Sequence, residues 1–197
     1  MQIIPLRKKD RSLFKRDMQE AFQKGTEKYF GSMEKIVLPE SDIEKSLKTK
    51  GATAYEAVMN NEIVGGAIVS IVAKKRFSLD LLYVKHGAQS KGIGKAIWKE
   101  LENLYPEAEV WETITPYFEK RNIHFYINQC GFHAVDFFNP HHPASDIPDD
   151  MVGGDYFFRF EKRMKRFIIY VKCLMKNCET LFNKNLKKCR TYAENQL

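Results

Sequence analysis

Hydrophobic and polar positions recur with two different periods along this 197-residue chain, and the switches between them mark its elements. QIIPL (2–6) reads as a short strand. Residues 10–24 place Leu13, Phe14, Met18, Ala21 and Phe22 on one helical stripe, with Gly25 as the predicted stop. A second helix is predicted behind Pro39, where Ser41 and Glu44 have capping-box spacing around Ile43 and Leu47, and Gly51 closes it. Period two then takes over. TAYEAVM (53–59), the turn at 60–62 and IVGGAIVSIV (63–72) predict a hairpin. RFSLDLLYV (76–84) adds a strand, with Phe77, Leu79, Leu81 and Tyr83 assigned to one face and Asp80 and Leu82 to the other.

The second half alternates strand and helix. A helix is predicted from about Lys91 to Leu104, carrying Ala96, Ile97 and Leu101, and Tyr105-Pro106 terminates it. EVWETI (109–114) is a strand, and Pro116 opens a helix running to Cys130 with Gly131 as its cap. FHAVDFF (132–138) and YFFRFEK (156–162) are strands on either side of a turn-rich loop over 139–155. A hairpin block followed by alternating strand and helix gives an α/β (α+β) chain, a mixed sheet with helices on its faces. From Met164 onward, Phe167, Val171, Leu174, Cys178 and Leu181 recur at spacings of three and four, the pattern of one long helix with an apolar seam. The expected organisation is a domain over 1–163 and a basic helical extension over 164–197.

Composition narrows the class. The chain is 44% hydrophobic and 29% charged, ordinary for a globular protein with a sizeable core. No run approaches the roughly 18 apolar residues of a membrane span. The N-terminus places its apolar stretch before its charges, the reverse of a secretory signal, so a cytoplasmic protein is expected. Cys130, Cys173, Cys178 and Cys189 show no CxxC pair, which favours reduced thiols over a disulfide framework or zinc site. Residues 161–197 hold ten Lys/Arg against three acids, so the whole net charge of +7 sits there and residues 1–160 balance to zero.

Candidate chemistry centres on QSKGIG (89–94), between a strand and a helix. The first N–H groups of a helix lack internal partners and carry partial positive charge, and glycines clear side chains from them. Two readings stand on these residues alone: an anion-binding loop, or a glycine-bearing turn that caps an ordinary helix. Spacing excludes two nucleotide loops. Gly87 and Gly92 are followed by Ile93 rather than Lys, so there is no Walker loop, and Gly92-Ile93-Gly94 lacks the third glycine of a dinucleotide fingerprint.

QSKGIG resembles the Q/R-x-x-G-x-G/A signature of the GNAT superfamily of acetyl-CoA-dependent N-acetyltransferases. LDLLYV before it resembles that family's fourth strand, and RNIHFYINQCGF (121–132) its later N…FY…GF segment, so the resemblance spans about residues 1–163. It implies a mixed, mostly antiparallel twisted sheet with helices on both faces and a splayed parallel strand pair. It implies acetyl-CoA as cosubstrate and no metal, with acetyl passing directly to a primary amine of a small molecule or peptide. The pyrophosphate cradle would be Gln89, Ser90, Lys91, Gly92, Ile93, Gly94 and Lys95. Leu82, Tyr83 and Val84 would offer backbone groups to the pantetheine arm, with Trp111 to Thr113 across the gap, and Asn122 would contact the arm. Tyr126 matches the tyrosine that protonates the departing thiolate, although five positions separate it from Gly131 where four is the commoner spacing. The family fixes no position for the base; Glu112 is the first candidate and Asp80 the second.

The other residues carry plainer expectations. Cys130 is expected to be a buried small hydrophobe, His124 to serve packing rather than line the cleft, and His141-His142 to lie in a solvent loop. Phe22, Tyr29, Phe30 and Met33 make 22–33 aromatic enough to wall an acceptor pocket, although core packing explains Phe22 equally well. The basic extension suits docking on the domain or a homodimer; phosphate or an anionic membrane surface are the alternatives. The competing function class is a non-catalytic acyl-CoA sensor, or a nucleic-acid binder acting through the tail. A neutral main domain argues against nucleic acid.

Overall fold

The computed structural model describes residues 1–88, 92–144 and 156–164. Gln89, Ser90 and Lys91 of the expected cradle, most of the 139–155 loop, and the extension beyond Met164 lie outside the described residues. The strands are β1 (Gln2–Pro5), β2 (Thr53–Met59), β3 (Glu62–Ala73), β4 (Arg76–Val84), β5 (Val110–Pro116), β6 (His133–Phe138) and β7 (Phe157–Arg163). They form one sheet in the order β1-β2-β3-β4-β5-β7-β6. Every neighbouring pair is antiparallel except β4 and β5. The helices are α1 (Arg11–Phe30), α2 (Glu40–Lys48), α3 (Ile93–Leu104) and α4 (Lys120–His124), the last continued by a π-helical turn over Phe125–Cys130.

Two cores follow from the two faces. Phe14, Met18 and Ala21 of α1 and Ile43 of α2 bury against Ile68 and Tyr83 of the sheet. On the opposite face Trp98 of α3 meets Trp111 edge to face at 5.1 Å and lies 4.9 Å from Phe132. Such pairs add about 0.5–1.5 kcal/mol each beyond the area they bury. Tyr126, from the π turn, packs on Phe132 and Phe160 in the same layer.

Four sequence-based expectations need correction. Helix α1 runs through Gly25 and ends at Gly31, because tertiary contacts override one glycine's propensity. Beyond Gly25, Thr26 is buried and Tyr29 and Phe30 both meet Phe118. The capping box of α2 does not form. Ser41 turns to Asp42, while the Glu44 carboxylate takes Arg11 at 2.7 Å and Lys15 at 2.9 Å, and these charge-assisted bonds outweigh a cap. Pro116 ends a strand rather than opening a helix: it pairs with Phe157, and α4 begins at Lys120. The β-branched run Thr113-Ile114-Thr115 favours that extended form.

The fourth correction positions the site. In β4, Leu79 pairs with Val69 and Leu81 with Ile68, so Asp80 is an extra residue opposite no partner. This bulge inverts the alternation. Phe77 packs on Trp111 on the α3 face, whereas Tyr83 packs on Phe14 on the α1 face. The four apolar residues assigned to one face of β4 are therefore split between two.

Candidate active site

The cleft begins where β4 and β5 part. Their parallel ladder holds only Arg76–Val110, Phe77–Trp111 and Ser78–Glu112. The last tie is a side chain: the Thr113 hydroxyl donates to the Leu79 carbonyl at 2.9 Å. Trp111 to Thr113 thus belong to the closed end of the strand pair and not to the far wall of the gap. Beyond Leu79 the β4 edge has no β5 partner, and Leu82, Tyr83 and Val84 line a cleft of about 680 Å³. Its other walls are α1 from Ala21 to Tyr29, the first residues of α3, and α4 with its π turn.

Helix α3 points its N-terminus into this cleft. Gly92 caps it at φ +71°, a left-handed conformation that suits glycine, and its carbonyl accepts the Ala96 N–H at 3.0 Å. The amides of Ile93, Gly94 and Lys95, one turn earlier, have no intrahelical acceptor. Ile93 is buried and anchors the turn, while Gly94 and Lys95 line the cleft. A Cβ on Gly94 would stand 3.3 Å from Phe125 and 3.6 Å from Val84, so its bareness lets α3 approach the two flanking walls. Lys95 reaches Gln129 of the π turn at 3.4 Å, which brings a cation beside the open amides. This corner is electropositive, narrow and backbone-lined, which suits a phosphate group.

The acid–base groups fall at different depths. Tyr126 is buried behind the cleft wall, and its hydroxyl bonds Thr113 at the head of the strand split. Burial pushes its pKa up to about 12, so the phenol holds its proton at neutral pH. Asn122 lines the cleft, as does His124, whose ring bonds Asn128 at 3.0 Å. Cys130 is buried with its thiol pushed up to about 12 by desolvation, which leaves it inert as a nucleophile. His142 bonds Asp136 at 3.1 Å and stacks on Phe138. Among the described residues no group of three His, Cys, Asp or Glu is placed to hold a metal ion, and no helix is long and apolar enough to cross a membrane.

The two carboxylates proposed from sequence do not line the cleft. Glu112 is bound to Arg76 at 2.6 Å, and Arg76 also holds Glu161 at 2.6 Å. Asp80 accepts from Ser70 at 2.9 Å; burial raises its pKa, and hydrogen bonds from Ser78 and Ser70 oppose the rise. Among the described residues the carboxylate that does line the cleft is Glu119, in the turn between β5 and α4. Thr26 of α1, itself buried, donates to it at 3.3 Å. Desolvation holds the Glu119 carboxyl above its ordinary pKa, against the opposing pull of Thr26 and Arg121. Nothing local in TPYFEKRN distinguishes this glutamate; only the unforeseen length of α1, which brings Thr26 and Tyr29 to the cleft, reveals it. Tyr29 completes that wall by accepting the Arg121 backbone N–H at 3.2 Å.

The chain and its fold have counterparts among known proteins. Residues 12–132 match the acetyltransferase (GNAT) family model. An uncharacterized protein of Bacillus subtilis strain 168, YrkN, is 43% identical over 162 residues, covering 78% of this chain and 88% of that protein. Two solved structures share the fold at lower identity. A GNAT family acetyltransferase from Elizabethkingia anophelis with acetyl-CoA bound superposes with a TM-score of 0.53 at 16% identity, covering 64% of this chain and 84% of that one. The PaiA N-acetyltransferase from Thermoplasma acidophilum, in complex with coenzyme A, does so with 0.60 at 16% identity, covering 83% and 98%. With the family model spanning well over half of the sequence and a relative of this identity aligned along most of both chains, this protein belongs to the GNAT acetyltransferase family.

Proposed function

We propose that this chain transfers acetyl from acetyl-CoA directly to a primary amine of a small molecule or peptide. The observation that supports this most is one cleft holding both an unpaired β4 edge and the bare N-terminus of α3. A pyrophosphate suits the α3 amides with Lys95, completed by Gln89, Ser90 and Lys91. The amide-bearing pantetheine arm suits the open backbone of Leu82 to Val84, where it can pair as an added strand does. Asn122 stands beside that path. Acetyl-CoA supplies the activated acyl group; the protein's work is to align it and manage protons.

Tyr126 is the proposed proton donor to the departing sulfur. Its hydroxyl sits with Thr113 at the point where the strands part, at the other end of the open β4 edge from the residues that lead into the N-terminus of α3. A phenol held protonated there can donate as the C–S bond breaks. The domain carrying this chemistry is 1–163, and a cytoplasmic location supplies the cosubstrate. The test is thiol release from acetyl-CoA across a panel of amines. Tyr126→Phe should lower kcat by about 10²-fold while leaving acetyl-CoA affinity unchanged. Full turnover in this variant would remove Tyr126 as the acid.

A further inference from the structure

We propose that Glu119 is the general base that takes the proton from the incoming ammonium of the acceptor; this rests on the acetyltransferase reading above. Among the described residues Glu119 is the one acid that lines the cleft. Its backbone is fixed from both sides: its N–H donates to the Pro116 carbonyl at 3.1 Å, and its own carbonyl accepts from Ile123 at 3.0 Å. Its carboxylate is steadied by the hydroxyl of Thr26, a side chain only 1% exposed, at 3.3 Å. The two alternatives are committed elsewhere, Glu112 to Arg76 and Asp80 to Ser70.

The chemistry suits the position. A primary ammonium cannot attack a thioester, so it must lose a proton before the C–N bond forms. Partial desolvation raises the proton affinity of Glu119 toward the working range of a base, and it remains an anion that attracts the ammonium. The aromatic walls Phe22 and Tyr29 lie in the same cleft and favour a cation approaching the carboxylate. Lys28 and Tyr29 from α1, Tyr83 from β4 and Lys95 from α3 also face this space. Arg121 and His124 face it from α4, and Tyr126 lies near enough behind the wall for the Glu119 charge to act on it. Of these charges Arg121 favours ionised Glu119, opposing the desolvation.

Protons balance in the step as drawn. Glu119 takes one from RNH3+ and releases it to solvent. The freed amine forms the C–N bond, the C–S bond breaks, and the sulfur receives a proton from Tyr126. The second nitrogen proton, shed as the amide forms, restores the phenol.

Glu119→Gln keeps an acceptor for Thr26 and removes only the base. In a wild-type chain that turns over an amine, it should lower kcat/KM by about 10²–10³-fold at neutral pH. The deficit should shrink as pH rises toward the amine's own pKa, with acetyl-CoA affinity and melting temperature unchanged. Thr26→Val should move the acid limb to higher pH, because the hydrogen bond to the charged form of Glu119 is gone. A direct carboxyl NMR titration, assigned by difference against Glu119→Gln, should place Glu119 above the ordinary glutamate value. An unaltered rate and acid limb in Glu119→Gln, or a carboxyl titrating at or below the ordinary value, would overturn the assignment of the base. A wild-type chain that binds acetyl-CoA but releases thiol with no amine overturns the parent reading and the base together, and that blank assay distinguishes the two failures.

Discussion

At Gly92 the backbone turns through φ +71° with open space where a Cβ would stand, whereas at Gly94 a Cβ would press on Phe125 at 3.3 Å. The first glycine answers a conformational need and the second a contact. Gly92→Ala should cost about 1–2 kcal/mol of stability, read as a lower urea midpoint with unchanged slope, because an alanine there carries the left-handed penalty. An unchanged midpoint would mean the cap can relax. The spacing of the two glycines is visible in the sequence, but the reason for Gly94 is not, since Phe125 arrives from a later helix. Carboxylates show the same limit. Glu112 looks available on its strand until Arg76 is seen to hold it. Glu119 looks like surface until α1 delivers Thr26 to it.

Elements were more legible than their seams. Alternation locates β2 at 53–59 and β4 at 76–84, and the helical stripe locates α3, because apolar residues recur at strand or helix spacing through most of each segment. The bulge at Asp80 escapes that reading because Leu81 and Leu82 are both apolar and fit either parity. The extra residue between Tyr126 and Gly131 has a visible outcome: it is absorbed as the π turn. At the end of that turn the Gly131 N–H reaches back five residues to the Tyr126 carbonyl, the Phe132 N–H reaches the same carbonyl at 2.9 Å, and Gly131 caps the turn in the left-handed form. The surplus lies on the solvent side, where Ile127, Asn128 and Gln129 are exposed while Tyr126 and Cys130 are buried. Deleting Asn128 should convert the π turn to regular helix and leave cooperative thermal unfolding intact, since neither buried anchor is removed. Loss of the cooperative transition would show that the π geometry itself holds the Tyr126 layer.

On the scale of the whole molecule, the proposed domain boundary at Arg163 lies close to where the charge of the sequence changes. The basic excess belongs to residues 161–197, while the first 160 residues carry as many acids as bases. Strand β7 lies between β5 and β6 and ends at Arg163, so a chain stopped there keeps every pairing of the sheet. Among the described residues it also keeps all that line the cleft, from Ala21 to Gln129. The match to the GNAT family ends earlier still, at residue 132. A chain of residues 1–163 should therefore unfold cooperatively near the full-length melting temperature and bind acetyl-CoA with the same affinity. It should also lose its retention on a cation exchanger, since its charge falls close to balance. Calorimetry, binding and elution on the two chains decide the matter together. Retained binding with a changed oligomeric state would assign the extension to self-association, whereas lost binding would show that the apolar seam of 164–197 completes the domain and that the boundary at Arg163 is misplaced.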